Sequence, residues 1–599
     1  EGGGICRHVW LQKTAPVCVE THGLYILPEK CGENEWQVTA TVTLLNETQT
    51  AQRADVSVRL LDGEKVIGKS CDTADIASYG KTDSKTEISV SAPRLWDIND
   101  PYMYTAEVTV CVNGDEYDRY TDRFGFRNFE FNCDKGFLLN GRRVTVNGVC
   151  CHEGFGITGR AVPDSIQRYQ IRLMKEMGAN GYRTSHYQQT KSYMDAFDEQ
   201  GFLVMDEARW FESTKEAMEQ LESLIKRDRN RPSVIMWSTS NEEPLHITDT
   251  GRKLHKAIAA QIRKYDYTRP VTAAEDKTPD KSAIYDECDF IGINYNLSIY
   301  DTVHKMRPNK PVFASECCAT GTTRDWNFDA DANGRIRDKD RDANDWFLGR
   351  EKIYKALRER SYVFGCYQWA AVEHRGEAAW PRVCSCSGAL DLFLQKKGAF
   401  YQNKSHWTKE PMAHIVPHWN FKGLEGKEIL VTVYTNCEES ELFLNGESLG
   451  KQQIEKYGHG EWNVKYTPGT LEVKGYIGGK EVCSDKRVTT GKPVALRLTR
   501  DNDFTANGSD IALFTCECVD ENGRAVPDAA EYVSFSVSAP ARIIGTGSDN
   551  CDHNNVANTS RKMYMGKIRV AVKLQKGQKS FTLTAMNDNC GICKIDIIL

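Results

Sequence analysis

Between residues 125 and 410 the sequence alternates eight short apolar runs with stretches of helical periodicity, and this pattern constrains the fold most. In one stretch, Ala217, Leu221, Leu224 and Ile225 recur at spacings of three and four, which places them on one helix face. Strands alternating with helices favour a parallel sheet with crossover helices. Eight alternations over about 285 residues match a (β/α)8 TIM barrel. The predicted strands are 144–149, 181–184, 202–205, 233–237, 270–273, 290–294, 312–314 and 363–369.

The regions on both sides of the predicted barrel have the period-two alternation of half-buried strands. It recurs in residues 36–42, 54–60 and 104–110, and again in residues 429–434 and 496–498. We therefore predict a multi-domain chain in which immunoglobulin-like β-sandwich domains flank a central barrel. The predicted domains are an immunoglobulin-like sandwich at 15–124, the barrel at 125–410, a sandwich at 411–492 and a C-terminal immunoglobulin-like sandwich at 493–599.

The charge and hydropathy of the chain exclude two classes of partner. The formal net charge is −6, and no basic stripe is present, so nucleic acid and anionic membrane surfaces are not predicted partners. No apolar run approaches the roughly 18 residues that a membrane span needs. The sequence begins at Glu1 without a methionine or a signal-peptide pattern.

The 21 cysteines do not resemble a disulfide framework, because their number is odd and they are scattered, with neighbours at 150–151 and 317–318. We expect reduced thiols and therefore favour a cytoplasmic location, leaving a periplasmic or secreted one open. Cys590 and Cys593 form a lone C-x-x-C motif. We interpret them as two small strand residues rather than as a zinc or redox site.

Two acidic residues stand where predicted apolar strands end. Asn241 and Glu242 follow the fourth predicted strand, and Glu316 follows the seventh. Because active groups in this architecture come from the carboxyl ends of strands, the two carboxylates can face each other across one barrel mouth. Such a pair is what hydrolysis of a glycosidic bond requires. A solvated loop position is the alternative for each glutamate taken singly.

Other predicted strand ends carry side chains suited to sugar recognition. A tryptophan face stacks on apolar C–H groups, whereas histidine, amide and acidic groups hold hydroxyls. For His152 and His186 the alternative is a buried, hydrogen-bonded histidine, and for Trp369 it is core packing. The residues are His152, Glu153, Arg183, His186, Asp206, Glu207, Asn294, Tyr295 and Trp369.

Several segments of the sequence resemble one known family in its own order. They are residues 3–11, residues 124–127 with 138–141, and residues 227–242. The chain resembles glycoside hydrolase family 2, of the β-galactosidase type, over nearly its whole length. The resemblance implies that residues 1–14 are a remnant of a jelly-roll sugar-binding domain, of which only the last strand is left.

The resemblance also implies roles for individual residues. Glu242 is the expected acid/base and Glu316 the nucleophile of a retaining double displacement, with carboxyl groups about 5 Å apart. Arg183 and Tyr295 are the expected neighbours that lower the pKa of the nucleophile. Asn241 is expected to bind the 2-hydroxyl of the sugar. The remaining expected sugar-binding residues are His152, His186, Trp369 and Glu373.

The sequence departs from the family pattern in three further places. Glu373 and His374 stand where Asp and Tyr are frequent, which leaves the preferred sugar open. Residues 209–211 lack the Glu and His of a magnesium site found in some relatives, so no metal is expected to be required. An acidic insert has the spacing of a calcium loop, with a solvated loop as the alternative. Its candidate ligands are Asp329, Asp331, Asn333 and Asp340.

The sequence therefore predicts an exo-acting β-glycosidase that removes a terminal β-D-galactose from a glycoside or oligosaccharide, without a required cofactor. A β-glucuronidase is an alternative, disfavoured because no Asn-x-Lys pair stands near Asn403 and Lys404. An α-L-arabinopyranosidase and a non-catalytic carbohydrate-binding assembly are further alternatives. The presence of both glutamates argues against the non-catalytic assembly. A homo-oligomer is left open.

Overall fold

The structure is a computed structural model that describes residues 4–278 and 281–599. Its first strands form two antiparallel sheets, β1-β2-β5 and β4-β3-β8-β9, and a two-stranded ribbon, β6-β7. Alternate residues such as Val38, Val56 and Val108 point between the two sheets and form their core. The strands are β1 Val17–Lys30, β2 Glu35–Asn46, β3 Gln52–Asp62, β4 Lys65–Ile76, β5 Lys81–Ser91, β6 Trp96–Asp97, β7 Asp100–Pro101, β8 Tyr104–Val112 and β9 Asp115–Phe124.

A small three-stranded sheet precedes the barrel and covers its amino-terminal end. Its strands are β10 Phe129–Asn132, β11 Gly136–Leu139 and β12 Arg142–Arg143. The ring of Phe131 lies 4.3 Å from that of Phe290 and 5.0 Å from that of Phe364. Phe290 and Phe364 stand at the beginning of two barrel strands, so this aromatic cluster closes the end of the barrel opposite the site described below.

The centre of the molecule is a closed barrel of eight parallel strands. The first and last strands close it, with Val146 paired to Gly365 and Cys150 to Trp369. All eight strands lie where the sequence predicts them, so this part of the predicted fold is confirmed. They are β13 Val146–Cys150, β14 Gly181–Arg183, β15 Leu203–Glu207, β16 Val234–Asn241, β17 Val271–Glu275, β18 Ile291–Asn294, β19 Val312–Cys317 and β20 Val363–Trp369.

Helices connect the strands and cover the outside of the barrel. Thr190, Thr214 and Thr248 begin three of them by accepting a hydrogen bond from a backbone N–H of the first turn. Between β17 and β18 the described residues form only a short 3₁₀ turn, Ile284–Asp286. The helices are α1 Asp164–Glu176, α2 Lys191–Gln200, α3 Lys215–Asp228, α4 Asp249–Tyr265, α5 Tyr300–Met306, α6 Arg350–Arg358 and α7 Gly398–Trp407.

Four antiparallel sheets follow the barrel, as the sequence predicts. Two are β21-β22-β25 and β24-β23-β26-β27, and the others are β28-β29-β33-β31 and β32-β30-β34-β35. The strands are β21 Ala413–Val416, β22 Glu428–Thr435, β23 Glu439–Leu444, β24 Glu447–Gln453, β25 His459–Lys465, β26 Thr470–Ile477, β27 Lys480–Val488, β28 Ala495–Arg500, β29 Ile511–Val519, β30 Tyr532–Val537, β31 Arg542–Gly547, β32 Ser560–Lys562, β33 Lys567–Lys573, β34 Ser580–Asn587 and β35 Gly591–Ile598.

The flanking sheets are fixed to the barrel by buried polar contacts. Asn230 of the barrel accepts a hydrogen bond from the backbone N–H of Ile26 at 2.8 Å and donates one to the carbonyl of Leu24 at 2.9 Å. At the other end, Arg569 donates to the carbonyl oxygens of Phe393 and Leu394, both at 3.0 Å. The predicted domain boundaries stay predictions.

Three further sequence-based expectations concern the first residues of the chain, the cysteines and membrane-spanning segments. The predicted jelly-roll remnant includes residues 1–3, which lie outside the described residues, and residues 4–16 contain no strand. All 21 cysteines are free. Cys593 lies in strand β35, as interpreted from the sequence, whereas Cys590 lies in the turn before that strand. None of the helices in the described part of the chain combines the length and apolar character that a bilayer crossing requires.

Candidate active site

Arg183, at the end of β14, is the centre of a buried charge cluster at the carboxyl ends of the barrel strands. Its side chain is fully buried. Its guanidinium donates to both oxygens of Glu207 at 2.8 to 3.1 Å, and to Oε1 of Glu316 at 2.8 Å. Nη2 also donates to Oδ1 of Asn241 at 2.8 Å. One cation thus fixes two carboxylates and an amide that come from three other strands.

Glu316, in β19, is held on both of its carboxylate oxygens. Arg183 contacts Oε1, and the hydroxyl of Tyr295 donates to Oε2 at 2.8 Å. Nε2 of His186 lies 3.7 Å from Oε1. The residue is only 4% exposed. The site therefore presents a carboxylate in a fixed orientation, with donors on its sides and little water around it.

Glu242 is placed differently, one residue after β16. Its backbone has φ +52°, which turns the chain out of the strand, and its N–H donates to the carbonyl of Ala274 at 2.9 Å. Its Oε1 accepts a hydrogen bond from Asn294 at 2.7 Å. Burial, with the negative charge of Glu316 adding to it, raises the pKa of Glu242 to about 7. Near neutral pH this carboxyl can therefore hold a proton or release it.

A continuous chain of hydrogen bonds joins the two glutamates. Glu316 accepts from Arg183, Arg183 donates to Asn241, and Nδ2 of Asn294 donates to both Asn241 at 3.0 Å and Glu242 at 2.7 Å. Ser315 donates to Oδ1 of Asn294 at 2.7 Å and so fixes that amide. The two carboxylates share one rigid frame, while their predicted separation of about 5 Å stays a prediction.

Aromatic side chains form one wall beside Glu316. Trp369 stacks on His186, with ring centroids 5.3 Å apart and planes 10° apart. The ring of His152 lies edge-on to that of Trp369, with centroids 5.2 Å apart, and the ring centroids of His374 and His152 are 4.6 Å apart. Burial and the neighbouring histidines lower the pKa of His152 to about 3, so its imidazole is neutral. The structure thus brings together the predicted residues His152, His186 and Trp369.

Glu373 does not line this wall. Its side chain is fully buried, where it accepts hydrogen bonds from Lys397 at 2.7 Å and from the backbone N–H of Leu392 at 3.2 Å. The prediction that Glu373 contacts the sugar does not fit this position. A buried carboxylate needs such partners. The contacts of Glu373 with Lys397 and Leu392 fix the segment after β20.

The structure also shows site contacts that the sequence analysis did not predict. Arg7, from the segment before the first sheet, donates to Glu153 at 2.6 Å and to the carbonyl of Gln188 at 2.7 Å. Nε1 of Trp369 donates to Glu377 at 3.0 Å. The contact of Arg7 with Glu153 joins residues 146 positions apart. No local pattern signals a pair so distant in sequence.

Two candidate ligands of the predicted calcium loop, Asp331 and Asp340, accept backbone hydrogen bonds. Oδ1 of Asp331 accepts the backbone N–H groups of Asn333 and Arg335, and the oxygens of Asp340 accept those of Arg350 and Glu351. These oxygens are therefore engaged by hydrogen-bond donors. Within residues 4–278 and 281–599, no group of three or more His, Cys, Asp or Glu is arranged to hold a metal ion. Calcium stays a prediction that this geometry does not favour.

Replacing Glu207 by Gln is expected to destabilise the protein. Burial raises the pKa of Glu207, but the charge of Arg183 outweighs it, so the pKa lies below its ordinary value and the residue is ionised. Breaking such a buried pair costs about 3 kcal/mol. We expect the melting temperature to fall by about 5–10 °C in differential scanning calorimetry. Glu447→Gln, at an exposed position, is the control and should leave the melting temperature unchanged. An unchanged melting temperature of Glu207→Gln would contradict a stabilising ion pair between Arg183 and Glu207.

Comparisons with known families cover most of the chain. "Glycosyl hydrolases family 2" matches residues 19–127, and its TIM barrel domain matches residues 132–214 and 210–317. "Glycoside hydrolase family 2 C-terminal domain 5" matches residues 496–596. A domain of unknown function, DUF4982, matches residues 426–483.

Individual relatives agree with these matches. The chain is 32% identical to Beta-galactosidase BoGH2A of Bacteroides ovatus, over 98% of this chain and 77% of that protein. It is also 26% identical to a beta-glucuronidase of Formosa agariphila. This match covers 100% of this chain but only 62% of that protein. A crystal structure of a glycosyl hydrolase family 2 member from Bacteroides cellulosilyticus superposes with a TM-score of 0.87 at 29% identity, covering 98% of this chain and 79% of that one.

Proposed function

The chain belongs to glycoside hydrolase family 2, and on this basis we propose that it is a retaining exo-β-glycosidase that removes terminal β-D-galactose. The observation that carries the proposal is the pair Glu242 and Glu316 on one hydrogen-bonded frame. One carboxylate is held by Arg183 and Tyr295, and the other has a pKa of about 7. Two carboxyl groups in such unequal surroundings suit a nucleophile and an acid/base.

In the first step, an oxygen of Glu316 attacks the anomeric carbon of the sugar. The bond from that carbon to the leaving oxygen breaks, and Glu242 gives its proton to this oxygen. The products of the step are the free alcohol, an ester between the sugar and Glu316, and an ionised Glu242.

In the second step, Glu242 takes a proton from a water molecule, and the water oxygen attacks the anomeric carbon and releases Glu316. The charge of Glu316 is one of the causes that raise the pKa of Glu242. Formation of the ester removes this charge, so Glu242 becomes the stronger acid and stays ionised until water arrives. The same residue thereby serves as acid and then as base.

The orientation of Asn241 suits it to the role that the family resemblance implies. Arg183 and Asn294 both donate to its Oδ1. The amide is therefore fixed with Nδ2 directed away from these donors, where it can donate to the 2-hydroxyl of a bound sugar. This bond strengthens in the transition state, because the 2-hydroxyl lies beside the carbon that develops positive charge.

A β-glucuronidase is the second candidate, because one cation near the wall is available for a carboxylate. Arg160 lies 4.6 Å over the ring of Tyr187, and no ion-pair partner for it is found within the described residues. A uronate held by this guanidinium would form a charge-assisted hydrogen bond. The galactosidase proposal rests on the relative from Bacteroides ovatus, which is similar over 98% of this chain.

A panel of 4-nitrophenyl glycosides separates the two candidates. We expect kcat/KM for the β-D-galactoside to exceed that for the β-D-glucuronide at least tenfold, and Arg160→Ala to change the galactoside value less than about threefold. If the glucuronide is preferred and Arg160→Ala weakens its turnover about tenfold to hundredfold, as loss of a charged hydrogen bond implies, the second candidate is correct. Glu316→Gln prepared in parallel excludes contaminating host enzymes.

A further inference from the structure

The amino-terminal end of the barrel, opposite the candidate active site, holds a cavity of about 830 Å³ that the proposed reaction does not use. It lies between strand β12, the carboxyl ends of α1, α6 and α7, and the loops at Asn436 and Tyr457. Its size is within the range of small-molecule sites in proteins, about 300–1,000 Å³.

Positive charge is concentrated on the walls of this cavity. Only one acidic residue, Glu455, is among the lining residues, and it is paired with Lys355 at 2.7 Å. The whole chain, by contrast, has a net charge of −6. The cations that line the cavity are Arg142, Arg143, Lys175, Arg358, Lys409 and Lys456.

Most of these cations have no anion beside them. Arg142 pairs with Asp97 at 3.0 Å, but Arg143 and Lys409 have no ion-pair partner in the part of the chain that the structure describes. Nζ of Lys175 donates only to two backbone carbonyl oxygens. Arg358 donates to the side-chain amide of Asn147 at 2.6 Å. Neutral oxygens thus solvate the charges of Lys175 and Arg358 without neutralising them.

The helix ends at this cavity account for only part of the positive charge. The carboxyl end of a helix is equivalent to about half a negative charge, so α1, α6 and α7 together offset about one and a half of the cations. Arg143, Lys409 and Lys456 belong to none of these helices. A surplus of positive charge therefore stays on the cavity walls.

We propose that this cavity is a binding site for a small multivalent oxyanion, whose phosphate or carboxylate groups contact Arg143, Arg358 and Lys409. An oxyanion supplies the negative charge that these cations lack, and its oxygens accept charge-assisted hydrogen bonds from them. Because the site lies at the closed end of the barrel, ligand binding there does not compete with a glycoside at Glu316.

Isothermal titration calorimetry of the full chain tests the proposal with two probes, inorganic pyrophosphate and a galacturonate trimer. We expect at least one probe to bind with a Kd below 1 mM at low ionic strength, and Arg143→Glu/Lys409→Glu to weaken it at least tenfold. The control, Lys65→Glu/Lys69→Glu, makes the same charge change on exposed lysines of β4 and should leave the Kd unchanged.

The two probes separate the sources of the anion. Binding of pyrophosphate alone identifies a phosphorylated ligand, and binding of the trimer alone identifies an acidic sugar. Absence of heat with both probes, or binding that the Arg143→Glu/Lys409→Glu variant keeps, would overturn the proposal. Glycosidase activity of that variant should equal that of the wild type, which also reports that it folds.

Discussion

Glu316→Gln should lower kcat for 4-nitrophenyl β-D-galactoside by about 10⁵-fold or more, as loss of a covalent nucleophile does in other hydrolases. The amide keeps the shape of the side chain but cannot attack the anomeric carbon. In the native protein Arg183 donates to one oxygen of the Glu316 carboxylate and Tyr295 to the other. The N–H₂ group of the glutamine would therefore replace an acceptor and point at one of these two donors. Initial rates over several hours at high enzyme concentration measure the residual activity.

Chemical trapping identifies the same residue independently. A 2-deoxy-2-fluoro-β-D-galactosyl fluoride reacts in the first step but is hydrolysed slowly, because the fluorine removes the 2-hydroxyl contact and destabilises positive charge at the anomeric carbon. We expect the peptide that contains Glu316 to gain the mass of one fluorogalactosyl group. Glu447→Gln, at an exposed position, is the matched control and should retain full activity. A label on any other residue would refute the assignment.

The barrel was predictable from the sequence because its strands are short apolar runs between amphipathic helices. The two glutamates were predictable for a related reason, since a carboxylate directly after a buried strand stands at the barrel mouth. The connection between β17 and β18 differs from the regular pattern, because Ile284–Asp286 forms a 3₁₀ turn where a full helix could stand.

Two expectations that the structure does not favour, for Glu373 and Asp340, depend on contacts that form only in the folded chain. Glu373 stands in a segment beside the site, yet its charge is neutralised by Lys397, and only the folded chain shows this. Asp340 has the spacing of a calcium ligand but accepts the first backbone N–H groups of α6. A carboxylate at a helix amino end and a carboxylate on a metal look alike in sequence, because each is an acidic residue in a connecting segment.

Glu242→Gln should affect substrates according to their leaving groups. General acid catalysis contributes about 10²–10⁴-fold, so kcat/KM for a galactoside with an alkyl leaving group should fall by this factor. A 2,4-dinitrophenyl galactoside, whose leaving group departs without a proton, should lose little in its first step. A uniform loss for both substrates would contradict the role of Glu242 as the acid.

The pH dependence should change in the same variant. The wild-type acid must be protonated, and its pKa is about 7, so kcat/KM should fall about tenfold per pH unit above that value. Glutamine does not titrate, so the alkaline decline should be absent in Glu242→Gln while the acid limb stays. Retention of the alkaline limb would assign it to another group.

Azide distinguishes the two glutamates by the stereochemistry of its product. In Glu242→Gln the glycosyl-enzyme still forms from an activated galactoside. Azide needs no general base, so it attacks the anomeric carbon from the side on which Glu242 lies. The product is the β-galactosyl azide. In Glu316→Gln, azide can act only from the opposite face, in place of the missing carboxylate, and any product with an activated galactoside should be the α-anomer. Proton NMR of the anomeric signal separates the two products. Opposite anomers from the two variants are required if Glu316 and Glu242 stand on opposite faces of the sugar, as a retaining double displacement demands.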